Sequence, residues 1–497
     1  QAQVVSLMQH SARQVLIRPL QTVVSHFRPR RGLDQALSQK SAHKMSTVVS
    51  PTWADLSNQV LQTDKGAMLK ADDDERALGR GLPHRASKLR LFGARSREEV
   101  RVKLYRDSAA WCPYCQKLWI MLEEKQIPYE VELINMRSYG DKPSSYLAKC
   151  PRGLLPALEL DGELYTESLE IMAMVDEVFS GAEHRSMLPP RNGPDFRRVQ
   201  QLLQAERNLF GAWCSYVFRG GASGRPQFEK ALRAMDAALG QSPHTPWFMD
   251  FTEGPSLVDL QYVSHVERMV ASVPYWKGHA IRGNGMYPNI EKWFEAFEKR
   301  PSYLATKSDW YTHVKDIPPQ YGDGVPVREA AETLAALNGA DAAWRLPLPP
   351  LTASTAPSDV LQPGWEMYEN EAHFEAAYRV VANHKAIAGF MARGAGTPGG
   401  WAAGRPDRAE LADPYAKAAT GAVAEDVDKA LRAAITVLLE GANPLDAHRS
   451  LLSGIRHKRE VAACAEYLRD RVGVPRDMSY PAARCLRGAL NWVVASL

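Results

Sequence analysis

Two cysteines separated by two residues, Cys112-Pro113-Tyr114-Cys115, are the side chains of this 497-residue chain whose types and spacing point most directly to chemistry. They follow the short run Val102-Lys103-Leu104-Tyr105 and open a stretch in which Leu118, Met121 and Leu122 recur at helical spacing. A cysteine at the head of a helix meets free backbone N–H groups and the positive end of the helix dipole, which stabilise a thiolate, the nucleophilic form. Pro113 suits the first helical turn and keeps Cys112 at its edge. Cys115 falls one turn deeper, near enough to attack a mixed disulfide formed at Cys112. The alternatives are part of a zinc site and a pair of packing cysteines. No second CxxC and no HxxxH supplies the further ligands that zinc normally needs.

The elements that must position this pair are legible around it. Tyr129-Glu130-Val131-Glu132-Leu133 alternates as a second strand, followed by Lys142-Pro143, a short helix near Ser144 to Lys149, and Leu155-Pro156. Ala157 to Leu160, the turn Asp161-Gly162 and Glu163 to Tyr165 read as a hairpin. A helix from Glu167 to Phe179 closes the unit, giving the order β-α-β-α-β-β-α of a thioredoxin fold. In that order Pro156 stands where a cis peptide occurs, which would turn the Leu155 backbone toward Cys112 to pair with an extended ligand. A trans Pro on an edge strand is the alternative.

Residues 195–312 are helical in pattern, with stretches Phe196 to Phe218, Phe228 to Leu239, Leu257 to Val270 and Ile290 to Glu298. Ser256 and Asp259 form a capping pair at the head of the third. Trp213, Tyr216, Tyr262 and His265 are candidates to line a substrate cleft between the two domains, or are core residues of the helices. Prolines crowd the stretch from Ile317 to Gly364, marking a connector with one helix near Arg328 to Leu337. Ala-rich amphipathic stretches follow at Glu371 to Arg393, Glu425 to Glu440 and Ala447 to Arg471, then Pro481 to Val494, without an internal repeat.

Five Arg and two Lys in residues 1–54 oppose the single Asp34, so the chain's net charge of +4 is concentrated at one end and the remainder is mildly acidic. That distribution, with no nucleic-acid motif, argues against a nucleic-acid partner. The acid-free, Arg-, Ser- and Gln-bearing start has transit-peptide composition; a basic tail is the alternative. No stretch is long and apolar enough for a transmembrane segment. Six cysteines in so long a chain imply a reducing compartment; Cys150, Cys214, Cys464 and Cys485 read as packing residues, Cys150 lying closest to the pair in sequence.

Trp111-Cys112-Pro113-Tyr114-Cys115-Gln116-Lys117, Lys142-Pro143, Pro151-Arg152-Gly153-Leu154-Leu155-Pro156-Ala157-Leu158 and Leu164-Tyr165-Thr166-Glu167-Ser168 occur in that order. Together they resemble the glutathione transferase superfamily, specifically its omega-like members and the glutathione S-transferase-like proteins of plant and algal plastids, over about residues 101–312. The resemblance implies an α/β thioredoxin-like N-terminal domain plus an all-α glutathione transferase C-terminal domain, with an additional helical extension. With the composition of the flanking segments, the expected boundaries are 1–32 transit peptide, 33–100 leader and linker, 101–182 glutathione-binding domain, 190–316 all-α domain, 317–364 connector and 365–497 extension. Glutathione is the implied cosubstrate. Cys112 would form a mixed disulfide with it, with Cys115 as the second catalytic thiol. Tyr114, Lys142, Leu155, Pro156, Glu167 and Ser168 would bind it, with Leu155 on its cysteinyl part, Glu167 and Ser168 on its γ-glutamyl end and Lys142 on its glycine carboxylate. No metal is implied.

Two departures bear on mechanism. Omega-like proteins often carry a single cysteine, so Cys115 makes a dithiol of the glutaredoxin kind. Residues after Tyr321, including Val472-Gly473-Val474-Pro475-Arg476-Asp477-Met478, lie outside the two-domain pattern and resemble the extension of the plastid proteins. The expected function is a glutathione-dependent thiol transferase acting on a small electrophile or disulfide. Glutathione conjugation and a non-enzymatic subunit role are the alternatives. A homodimer, or an organelle protein bound through 365–497, is the expected partner, and the chloroplast the expected location, with the mitochondrion as alternative.

Overall fold

The computed structural model describes residues 50–219, 224–340, 343–348, 371–399, 411–441 and 448–497. The expected transit peptide 1–32, the first part of the leader and residues 341–342 and 349–364 of the Pro-rich connector lie outside the described residues. The longer helices are α1 (Trp53–Leu61), α2 (Asp64–Ala77), α3 (Pro113–Glu124), α4 (Ser168–Val178), α5 (Pro194–Phe218), α6 (Gly224–Leu239), α7 (Leu257–Lys277) and α8 (Pro288–Phe297), then α9 (Ala372–Ala382), α10 (His384–Met391), α11 (Ala422–Glu440), α12 (Lys458–Arg471) and α13 (Tyr480–Ser496). The strands are β1 (Leu89–Arg90), β2 (Val102–Asp107), β3 (Tyr129–Ile134), β4 (Ala157–Leu160) and β5 (Glu163–Tyr165), in the sheet order β1-β3-β2-β4-β5. None of these helices is long and apolar enough to cross a membrane.

Strand β2 runs parallel to β3 and antiparallel to β4, so the sheet is mixed and β2 lies inside it. Alternation sends Leu104 to the face covered by α3 and α4, and Tyr105 to the opposite face against Tyr146 of the short helix Ser144–Lys149 and Cys150 just after it. Asp161 and Gly162, at φ 53° and 89°, supply the left-handed pair that a two-residue hairpin requires. The architecture is thioredoxin-like, followed by an all-α domain and a helical extension.

The described part of the segment expected as leader and linker is folded. Thr52 and Asp55 form a capping box on α1, whose Leu56 and Val60 are buried in the core of the extension. The Trp53 indole N–H donates to Asp428 at 2.7 Å, and β1 adds an antiparallel edge to β3. Its apolar residues are too sparse to announce a core of their own, and their partners lie hundreds of positions later. The acidic run at 72–75 belongs to α2, where Asp73 accepts a 2.8 Å bond from the Tyr378 hydroxyl.

Helix α7 is buried along its whole length and carries the predicted Ser256–Asp259 capping box. It continues past the expected end near Val270 to Lys277, with Pro274 inside it and Gly278 closing it at φ 70°. Burial of Val273, Tyr275 and Trp276 outweighs the backbone bond that Pro274 removes. Small residues let the extension's helices pack closely: Ala376, Ala430, Ala434 and Ala489 are all fully buried. The Arg487 guanidinium ties this core to the all-α domain, donating to Asp309 at 2.9 Å and to the Val472 carbonyl at 2.8 Å. Val474 donates its N–H to the Thr312 hydroxyl at 3.1 Å.

Candidate functional site

Asp107 ends β2, and its carboxylate accepts the backbone N–H groups of Trp111 at 2.6 Å and Cys112 at 3.1 Å. These bonds hold the loop so that Cys112 becomes the N-cap residue of α3, an end that no side chain caps. Cys112 is half-buried, whereas Cys115 is only 1% exposed. Burial, then a hydrogen bond and charge interaction with Cys112, push the Cys115 thiol well above its ordinary value. A carboxylate oxygen of Asp107 and the two sulfurs lie within 4.8 Å of one another. Among the described residues that is three donors where a structural zinc site uses four, and one Asp107 carboxylate oxygen is already engaged by two N–H groups.

Beneath Cys112, Trp111 is clamped from the all-α domain. Arg268 donates to the Trp111 carbonyl and, at 2.7 Å, to Gln116, whose amide N–H meets Glu267 at 3.0 Å. The Trp111 indole N–H points at His313 Nδ1, 3.0 Å away, and His313 Nε2 lies 2.8 Å from Glu267. An indole can only donate, so Nδ1 accepts and His313 carries its proton on Nε2. Burial pushes His313 below its ordinary 6.5, consistent with that neutral tautomer.

A folded-state pKa below the unfolded one means that the unfolded chain takes up a proton first as pH falls. His313 therefore adds stability above about pH 6.5 that is lost on acidification. Removing it as His313→Gln is expected to flatten the loss of thermal stability from pH 7 to 5, by at most about 1.4 kcal/mol per pH unit. Asp316, which burial raises to about 6, has the opposite slope and is common to both proteins. A pH series of melting curves on wild type and variant checks this, and parallel curves would exclude it.

The other predicted residues lie around the same end of the sheet. The Leu155–Pro156 bond is cis. Tyr105 pairs with Ala157 in the antiparallel register, so extending it two residues sets Leu155 level with Asp107. Among the described residues neither the N–H nor the C=O of half-buried Leu155 has a partner. Glu167 precedes α4 at φ 67°, and Ser168 is the first residue of that helix, whose N-terminus also has no side-chain cap. A non-glycine residue held there costs about 1–3 kcal/mol and persists where its surroundings over-determine it. The Arg152 guanidinium is 3.7 Å from the Glu167 carboxylate. Lys142 donates to the Asn135 carbonyl; burial lowers its pKa, against the pull of Cys115, Cys112 and Asp107. The Tyr114 and His265 rings meet in a T-shaped contact with their centroids 5.4 Å apart, and burial raises the Tyr114 phenol to about 12.

The four aromatic and His candidates for a substrate wall are buried instead. The Trp213 indole donates to Ser272 at 2.9 Å, the Tyr262 hydroxyl to the Leu202 carbonyl at 2.9 Å, and His265 pairs with Glu206 at 2.7 Å. Tyr216 stacks on Phe228. The side chains left half-buried near Tyr114 are Phe210, Cys214 and Tyr321. Sequence reasoning missed Asp107, Glu267, Arg268, His313 and Tyr321 as parts of this site; only a charged residue continuing the alternation of β2 marked Asp107 in advance.

A family model described as Glutathione S-transferase, N-terminal domain, matches residues 111–178. Protein IN2-1 homolog A of Oryza sativa subsp. japonica is 30% identical over 200 residues, covering 40% of this chain and 78% of that protein. Glutathione S-transferase DHAR2 of Arabidopsis thaliana is 37% identical over 199 residues, covering 40% and 84%. The solved structure of glutathione transferase Omega 3C from Trametes versicolor is 27% identical, covers 42% of this chain and 90% of its own, and has a TM-score of 0.36.

Proposed function

Since this chain belongs to the glutathione S-transferase superfamily, we propose that it is a thiol transferase in which Cys112 carries glutathione as a mixed disulfide. At the level of the family it is a glutathione-dependent transferase or oxidoreductase, with glutathione as cosubstrate. The observation that carries the finer reading is the half-buried Cys112 thiol at the uncapped head of α3. The nearest hydroxyls that precede it in sequence are already committed: Ser108 donates to Asn135 at 2.8 Å and Tyr105 to Glu159 at 2.9 Å. Neither is free to activate a glutathione thiol for conjugation.

The groups around Cys112 suit a tripeptide with charges at both ends. The unpaired N–H and C=O of Leu155 fit its cysteinyl backbone. Glu167 offers an acceptor for the γ-glutamyl ammonium, and the free N–H groups at the head of α4, beginning at Ser168, suit its carboxylate. Lys142 supplies a cation for the glycine carboxylate.

In the proposed reaction the Cys112 thiolate attacks the glutathione sulfur of a mixed disulfide, and the S–S bond breaks. The substrate sulfur leaves with the electron pair as a thiolate. A second glutathione thiolate attacks the glutathione sulfur held on Cys112, giving glutathione disulfide and restoring the Cys112 thiolate. Buried and protonated, Cys115 is a poor attacking group beside free glutathione. Glutathione-dependent reduction of a model disulfide is expected to exceed conjugation of a model aryl halide in parallel assays. Conjugation without disulfide reduction would reverse the assignment.

A further inference from the structure

Resting on the reading of Cys112 as the thiol that takes up glutathione, we propose that Tyr321 is a further catalytic residue, its hydroxyl donating a hydrogen bond to the substrate sulfur as that sulfur departs. Tyr321 is half-buried and ends the short helix Pro318–Tyr321, which follows the all-α domain. Its neighbours fix its ring. Phe218 stacks on it with centroids 6.2 Å apart, while Trp213 and Phe210 meet it in T-shaped contacts at 5.4 and 5.8 Å. The Tyr321 N–H donates to the Ile317 carbonyl at 2.9 Å, and just beyond it the Val325 N–H donates to the Val217 carbonyl of α5 at 2.9 Å. Phe210 packs on His265 at 4.8 Å and His265 on Tyr114 at 5.4 Å, so a layer of rings runs from Tyr321 to the helix that Cys112 heads.

This packing leaves the hydroxyl over. Tyr105, Tyr129 and Tyr139 donate theirs to Glu159 at 2.9 Å, Glu123 at 2.6 Å and Asp316 at 2.6 Å, and Tyr262 donates to the Leu202 carbonyl at 2.9 Å. The Tyr321 hydroxyl has no acceptor among the described residues, although a phenol in apolar surroundings normally finds one. Burial above all, then Tyr114, with Cys112 and Cys214 in the same direction and Arg268 against them, pushes this phenol well above its ordinary value. It is therefore a protonated donor at neutral pH, on the side of the cleft where Cys112 and Tyr114 lie.

Attack by the Cys112 thiolate on the glutathione sulfur sends the electron pair of the breaking S–S bond onto the substrate sulfur, which lies beyond the glutathione sulfur on the line from Cys112. Leu155, Glu167 and Ser168 take glutathione on the thioredoxin-like side, which leaves the wall of α5 and Tyr321 to the departing group. A donor already in place as negative charge develops lowers the barrier, because it need not reorganise during the reaction. Thiols are more acidic than this phenol, so the proton stays on oxygen. The substrate leaves as a hydrogen-bonded thiolate and takes its own proton from water after release.

The test uses the full chain as wild type and as Tyr321→Phe, which removes the hydroxyl without stranding a partner. Reduced enzyme in excess is mixed with glutathione mixed disulfides of 2-mercaptoethanol, a basic leaving thiolate, and of 4-nitrothiophenol, a weakly basic one, and release of the thiol is timed in a single turnover. Tyr321→Phe should slow release of 2-mercaptoethanol about tenfold or more, the scale of one hydrogen bond to a charged group. Release of 4-nitrothiophenol should be nearly unchanged, because a weakly basic sulfur gains little from a donor. Matching melting curves and matching rates of Cys112 alkylation by iodoacetamide show that fold and thiol are intact. An equal loss with both disulfides, as a purely structural role would give, or no loss with either, would overturn the proposal while the reading of Cys112 stands. Failure of the wild type to release thiol from either disulfide would overturn that reading and the proposal together.

Discussion

Replacing Cys112 by serine is expected to lower kcat/KM for glutathione-dependent disulfide reduction by about 10³-fold or more, the scale seen when a covalent nucleophile is removed. A serine hydroxyl at the same helix end stays protonated at neutral pH and forms no disulfide. Cys115→Ser should keep most of the activity. Its thiol is 1% exposed, and burial with the neighbouring Cys112 keeps it protonated, so dissolved glutathione resolves the intermediate without it. Comparable losses in both variants would instead indicate a dithiol route, with Cys115 attacking the Cys112 mixed disulfide.

Arg487→Met is expected to cost about 3–5 kcal/mol of stability, the range for breaking a buried ion pair from one side. The side chains of Arg487 and Asp309 are 1% and 0% exposed, so the variant leaves an uncompensated carboxylate in the seam between the all-α domain and the extension. Asp309 also caps the helix Trp310–Asp316 through the Thr312 N–H at 3.0 Å, and that helix carries His313 to Trp111. The loss should therefore reach the thiol site as lowered disulfide reduction. Pairing the change with Asp309→Asn removes the stranded charge and should recover a large part of the stability. Urea titrations of the three variants and wild type check this; a loss in Arg487→Met no larger than for an exposed arginine would contradict it.

What the sequence disclosed was local. Asp161-Gly162 between two alternating runs names its own turn, Ser256 and Asp259 name their own cap, and Pro113 marks the first turn of α3. The order of motifs around Cys112 and Leu155-Pro156 was readable for the same reason. The clamp on Trp111 was not, because Gln116, Glu267, Arg268 and His313 meet only after α3, α7 and the segment Trp310–Asp316 pack together. Helix α7 is buried all round, so it has no polar stripe to show which of its residues face Cys112. Helix α5 is apolar on more than one side; its Trp213 and Tyr216 turn into the core while Phe210 and Cys214 stay half-buried. The same limit hid α1, whose Leu56 and Val60 find their partners in the distant extension.

Intact-mass measurement of the full chain after treatment with glutathione disulfide, followed by peptide mapping, tests the role of Cys112 most directly. Of the other five cysteines, Cys115, Cys150 and Cys464 are buried and Cys214 and Cys485 half-buried, with burial raising Cys214 to about 12. Wild type should gain a single glutathione, mapped to the peptide containing Cys112, and Cys112→Ser should gain none. The same adduct persisting in Cys112→Ser would contradict the assignment.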